Sequence, residues 1–143
     1  MTFTGTQFGA NIKSLGSYLG TLENVTLENF VLHDVQKAIN IDLDGQTELR
    51  AGQGRRVGAI SVRNAVFRNF RGTASIAGTF TCPGGEGGSN PGCSGITLED
   101  VSINGTSSAF SCQGPWPGRL GVFGGVLISQ RRQRCGRWNV GGQ

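Results

Sequence analysis

Three stretches of the chain repeat one pattern of apolar and polar positions. Val25-Thr-Leu-Glu-Asn-Phe-Val-Leu, Ile60-Ser-Val-Arg-Asn-Ala-Val-Phe and Ile96-Thr-Leu-Glu-Asp-Val-Ser-Ile each alternate an apolar with a polar residue. Each then reaches Asn or Asp and resumes with apolar residues. A period of two sends successive side chains to opposite faces, which is the mark of a half-buried strand. Asn29, Asn64 and Asp100 fall at one position of this pattern. A short polar side chain there can bond neighbouring backbone and tolerate unusual dihedrals, so a bend is expected. A second strand is expected after the first two stretches, in Ala38-Ile-Asn-Ile-Asp-Leu and Thr73-Ala-Ser-Ile-Ala-Gly. Ala10-Asn-Ile-Lys-Ser-Leu reads as that same strand one repeat earlier.

Equivalent positions recur at roughly 29 to 36 residues, a spacing typical of solenoids. No segment shows a sustained 3.6-residue apolar period with capping signals. Short strands that each bury their inner face on the next repeat make a parallel β-helix. An antiparallel sandwich also uses short alternating strands with Gly-rich turns. The return of the bend residue at the same place in each repeat favours the solenoid, and the predicted fold class is all-β.

Composition agrees. Of 143 residues, 25 are Gly and 15% are charged, too apolar for a charged disordered chain and too Gly-rich for a helical bundle. The net charge of +4 suits nucleic acid, an anionic membrane or an acidic polysaccharide by sign alone. The excess, however, sits in Arg119, Arg131, Arg132, Arg134 and Arg137, in a final stretch without an acid. It describes a tail, and neither a nucleic-acid nor a membrane partner is read from it. No apolar run is long enough to span a membrane.

The cysteines Cys82, Cys93, Cys112 and Cys135 lack zinc-knuckle spacing, and the one histidine, His33, is distant in sequence. Disulfides in a secreted protein are expected. Cys82 and Cys93 bracket a Gly-rich loop that could close a bridge, and pairing of Cys93 with Cys112 is equally open. The sequons at Asn24 and Asn104 are glycosylation candidates and agree with secretion. No basic and apolar leader precedes the repeats, so an exported form is expected to begin upstream of Met1.

Three stretches, taken in order, resemble glycoside hydrolase family 28, the polygalacturonases and their relatives. Phe3-Thr-Gly-Thr-Gln-Phe-Gly-Ala-Asn-Ile-Lys-Ser is similar to the family coil that ends in Arg-Ile-Lys. Leu22-Glu-Asn-Val-Thr-Leu-Glu-Asn-Phe, continuing through Ala38-Ile-Asn-Ile-Asp, resembles the coil that follows. Cys93-Ser-Gly-Ile-Thr-Leu-Glu-Asp-Val-Ser-Ile, with Cys112, resembles the closing coil. The resemblance runs from about residue 2 to residue 114 and implies a right-handed parallel β-helix, met here as its C-terminal coils and truncated on the N-terminal side. It also implies a secreted, cell-wall enzyme that hydrolyses glycosidic bonds in pectin with inversion, without a cofactor or metal. One carboxyl group there protonates the leaving oxygen while others activate water.

The family carries those carboxylates in Asn-Thr-Asp, Asp-Asp and Gly-His-Gly motifs, none of which occurs in these 143 residues. No other group is assigned their work. Asp42 and Asp44 are close in sequence, but they sit where a strand gives way to a turn, which favours solvation. Glu23, Glu28, Glu99 and Asp100 belong to the alternating polar face. His33 has no partner motif. No catalytic residue is therefore assigned, and the chain alone is expected to be inactive.

Lys13 matches the family lysine that grips the substrate carboxylate, and the family arginine is replaced by Asn11. An ammonium at a strand end attracts a uronate, whereas Asn can bond a hydroxyl but cannot form a bidentate charged pair. Lys13 and Asn11 are thus the substrate-binding candidates, with an acidic polysaccharide of the pectin type as partner. Gly45, where the family tends to place a tyrosine, is a second departure. Both leave room for a related polysaccharide.

Residues 1–117 read as β-helix coils. Residues 118–143 form an atypical Gly/Arg-rich tail, either a further strand or cap or a disordered end. Its arginines also fit a heparin or nucleic-acid patch, a reading the abrupt break in composition disfavours. An uncapped first coil exposes strand edges, so self-association through it is expected. The alternative function is a non-catalytic carbohydrate-binding or cell-wall module. A pectate lyase is disfavoured, because the calcium-binding acid clusters on which such enzymes depend are not apparent.

Overall fold

The computed structural model describes residues 1–14, 19–43, 59–82, 92–106 and 108–113, with three short strands at 121–123, 127–128 and 139–140. All regular structure among them is strand. In chain order the elements are β1 (Thr2–Thr4), β2 (Phe8–Lys13), β3 (Leu19–Asp42), β4 (Ala59–Thr81), β5 (Cys93–Ser94), β6 (Thr97–Asn104) and β7 (Ser108–Gln113). Three more follow, β8 (Gly121–Phe123), β9 (Leu127–Ile128) and β10 (Asn139–Val140). Every pairing is parallel. β1 and β2 lie on β3, β3 on β4, and β4 on β5, β6 and β7. β8 and β9 lie on β6, and β10 lies on β8. Each coil thus hydrogen-bonds to the next, and the chain is a parallel β-helix.

The long strands turn corners at single residues. Asn24, Asn29 and Asp34 in β3, Asn64 and Asn69 in β4, and Asp100 in β6 have φ between 50° and 63°. Asn and Asp tolerate the left-handed region best among residues with a Cβ, so a single such residue bends the strand without breaking it. The corner amides stack from coil to coil. Asn64 Nδ2 donates to Asn24 Oδ1 at 3.3 Å, and Asn69 Nδ2 to Asn29 Oδ1 at 2.7 Å.

This register corrects the alignment expected from the sequence. Leu27 pairs with Phe67 and Glu28 with Arg68, so the equivalent of Asn29 is Asn69, while Asn64 belongs with Asn24. Partners here are 40 residues apart, beyond the expected spacing, against 29 between β2 and β3 and 31 between β4 and β6. The physical reason is a corner that recurs within one coil. Leu22-Glu-Asn and Leu27-Glu-Asn carry the same pattern, so a slip by one corner preserves every apolar and polar position. The second strand shifts likewise. Ile39 and Ile41 pair with Gly78 and Phe80, so Thr73-Ala-Ser-Ile-Ala-Gly lies mostly before the true counterpart.

At a bulge between Leu32 and Val35 two residues, His33 and Asp34, oppose the single Thr73. The Asp34 amide donates to Thr73 Oγ1 at 2.8 Å. Opposite the bulge Gly72 has φ 128°, and a Cβ at this point would run into the Leu32 carbonyl.

Inside the coils, Leu32, Val35, Ile39, Ile41, Phe67, Phe70 and Phe80 are wholly buried. Each such side chain contributes about 1.5–3 kcal/mol on leaving water. Phe3, Phe30 and Phe70 stack along the axis at 5.4 and 4.4 Å, and Phe80 stacks on Phe110 at 5.6 Å.

Cys82, at the end of β4, is bonded to Cys93, which opens β5, with Cα atoms 5.5 Å apart. Cys93 is therefore not the partner of Cys112, which is itself disulfide-bonded. Within 118–143 only β8, β9 and β10 are described, and the tail arginines and Cys135 lie outside the described residues.

Candidate functional site

The face of interest is built by β2, the end of β3, the end of β4 and β7. Alternation in β2 turns Ala10 and Ile12 toward the core and leaves Asn11 and Lys13 exposed. Register then sets two polar files across the coils. In the first, Asn11 pairs with Asn40, Asn40 with Thr79 and Thr79 with Ser111. In the second, Lys13 pairs with Asp42 and Asp42 with Thr81. Between the files Ile12, Ile41, Phe80 and Cys112 form the inward row. Neighbouring strands lie about 4.8 Å apart, and Asn11 and Lys13 are about 6.6 Å apart along β2. The result is a polar strip over an apolar inner row.

Asn40 is only 5% exposed, unlike Asn11 beside it. Its Nδ2 donates to Asn11 Oδ1 at 2.9 Å, and its Oδ1 accepts from Lys37 Nζ at 3.2 Å. That ammonium also lies 5.8 Å from the centroid of the Phe8 ring, within reach of its electron-rich face. The site therefore joins Lys37, Asn40 and Asn11 in one connected chain. The Lys13 ammonium has no hydrogen bond or ion pair among the described residues. It stands as an exposed cation at the end of the strip.

Other residues weighed from the sequence fall elsewhere. Asp42 is half-buried at the strand end, in register with Lys13, while Asp44 and Gly45 lie outside the described residues. Glu28 and Glu99 are on an outer face, where both contact the Arg68 guanidinium. The Glu99 hydrogen bond and charge, with a smaller contribution from Glu28, hold that guanidinium above its ordinary pKa. Glu23 and Asp100 are exposed, and His33 is exposed on β3 before the corner at Asp34, away from the Asn11 file. Asn24 and Asn104 are exposed, and the sequon Thr106 is buried.

Lys37 and Asn40 are the residues that reading the sequence missed. A signal was available, since Asn11-Ile-Lys and Asn40-Ile-Asp repeat one polar-apolar-polar pattern. What the sequence lacked was the 29-residue register that brings the two amides together.

The coils and their order find a match among known families. The model of the glycosyl hydrolases family 28 matches residues 1–118. The chain belongs to this family. Among curated proteins, a polygalacturonase of Malus domestica is 28% identical over 116 residues, which is 80% of this chain and 25% of the relative. The chain thus spans about a quarter of the length of that relative. No solved structure matches it. The family 28 match ends at residue 118, while the parallel pairing continues beyond it in β8, β9 and β10.

Proposed function

We propose that these coils provide part of the substrate-binding surface of a polygalacturonase-type glycosidase acting on an acidic, pectin-like polysaccharide. Lys13 contacts a uronate carboxylate and Asn11 a neighbouring oxygen of the chain. The observation that carries this reading is the exposed Asn11–Lys13 pair on the strip, with the Lys13 ammonium left without a partner among the described residues. A charge-assisted contact of this kind contributes more than a neutral one and suits a polymer that presents one carboxylate per sugar.

These residues alone bind without hydrolysing. None of the motifs that hold the family's reacting carboxylates occurs among them, and the strip presents a single described carboxylate, that of Asp42. A non-catalytic cell-wall module would use the same strip, and the two readings part on hydrolysis by the longer protein. The place of action on this reading is the cell wall or extracellular space, which the Cys82–Cys93 disulfide supports.

The experiment is retention of the chain on immobilised polygalacturonate, with reducing-sugar release followed in parallel. The expected result is retention that falls about tenfold in Lys13→Ala, with no sugar released. Equal retention of the two proteins would remove Lys13 from the site, and release of sugar would overturn the non-hydrolytic part.

A further inference from the structure

The chain of contacts behind Asn11 has a direction fixed by chemistry. An ammonium donates and never accepts, so the atom of Asn40 that faces Lys37 Nζ at 3.2 Å must be its oxygen. This assignment does not depend on telling the amide oxygen from the nitrogen by position alone. With Oδ1 committed to Lys37, Asn40 has only its Nδ2 to offer Asn11, and the atom of Asn11 that receives it at 2.9 Å must be Oδ1. The acceptor of Asn11 is thereby turned toward the protein. Its Nδ2 has no acceptor among the described residues, and Asn11 is exposed on the same side of β2 as Lys13.

We propose that Lys37 and Asn40 are positioning residues that fix the polarity of Asn11, so that its Nδ2 donor is free for the ligand together with the ammonium of Lys13. This rests on the reading of the strip as a polysaccharide-binding surface and deepens it by naming the group selected. With one lone pair of Asn11 Oδ1 already used by Asn40, the pair favours a group rich in lone pairs, a carboxylate above all, over a hydroxyl that must donate. An unanchored asparagine could rotate its amide to meet either. The burial of Asn40 at 5% exposure and the Phe8 ring against Lys37 Nζ hold the relay in place. Lys37 thus supplies the directionality an arginine would have supplied at position 11, from the neighbouring coil.

Two measurements on the full chain test this, and the first needs no ligand. In the nitrogen-15-labelled protein, the side-chain amide protons of Asn40 should exchange with water at least tenfold more slowly than those of Asn11. The reverse order, or equal rates, overturns the relay whether or not any sugar binds. The second is titration with trigalacturonate of the wild type, Lys37→Arg, Lys37→Met and Lys13→Ala in 1 M salt, where charges are screened beyond about 3 Å. Lys37→Arg, which can only donate, should bind within about twofold of wild type. Lys37→Met should lose about fivefold. Wild-type binding by Lys37→Met, alongside a loss in Lys13→Ala, overturns the relay and leaves the site standing. Equal binding by wild type and Lys13→Ala removes the site itself, and the exchange rates then decide the relay.

Discussion

Phe30 lies flat on Phe70, with ring centroids 4.4 Å apart and planes 9° from parallel, although the two are 40 positions apart in the chain. Each follows a left-handed corner, Asn29 or Asn69, and the corner turns its ring inward. Phe3 extends the stack on one side, and Val101 continues the file on the other. The coils are therefore joined by side-chain packing along the axis as well as by backbone hydrogen bonds.

Truncating the middle of that stack should be costly. Phe70 is wholly buried and touches both Phe30 and Phe67, so Phe70→Ala leaves a cavity that the rigid coils close poorly. A loss of about 3–5 kcal/mol is expected, measured by urea denaturation. A loss under about 1 kcal/mol would mean that the stack contributes little.

The corners separate backbone strain from side-chain bonding. Asn29 has φ 63° and accepts from Asn69, so Asn29→Gly relieves strain and loses one hydrogen bond. Asn29→Val loses the same bond and adds a β-branched side chain in the left-handed region. Val should be less stable than Gly by about 1–2 kcal/mol in thermal or denaturant melts. Equal stabilities would show that the corner relaxes.

Removing the Cys82–Cys93 bridge tests the joint between β4 and β5. The bridge closes a separation of 11 residues, and the pair Cys82→Ser, Cys93→Ser should lower stability by about 3 kcal/mol on the chain-entropy estimate. The denaturation midpoint should fall while polygalacturonate retention at low denaturant persists, because both cysteines are buried whereas Asn11 and Lys13 are exposed.

Arg68 bonds Glu99 in one neighbouring coil and lies near Glu28 in the other, on an exposed face. Salt screens such contacts. Arg68→Ala should lower the melting temperature more at 10 mM than at 500 mM salt. A salt-independent change would assign its effect to packing.

Much of the fold was legible because a solenoid writes its inner face in every coil. The alternation around Val25 and Ile96, and the Asn or Asp at each corner, marked parallel strands and bends without any knowledge of pairing. The register was not legible. Asn24 and Asn29 sit in the same local pattern, and nothing in a single sequence says which of them faces Asn64. At the site the outward places of Asn11 and Lys13 followed from period two. The roles of Lys37 and Asn40 did not, because Asn40 belongs to a different coil and its burial depends on the neighbours the register brings.

The proposed recognition of a polyuronide's charge rests on the exposed pair Asn11 and Lys13. It is tested most directly by titrating the chain with trigalacturonate and with its fully methyl-esterified form at equal ionic strength. The free acid should bind about tenfold more tightly, the size of one charge-assisted contact, and this preference should vanish in Lys13→Ala. Equal affinity for acid and ester, or a preference that survives Lys13→Ala, would contradict the account.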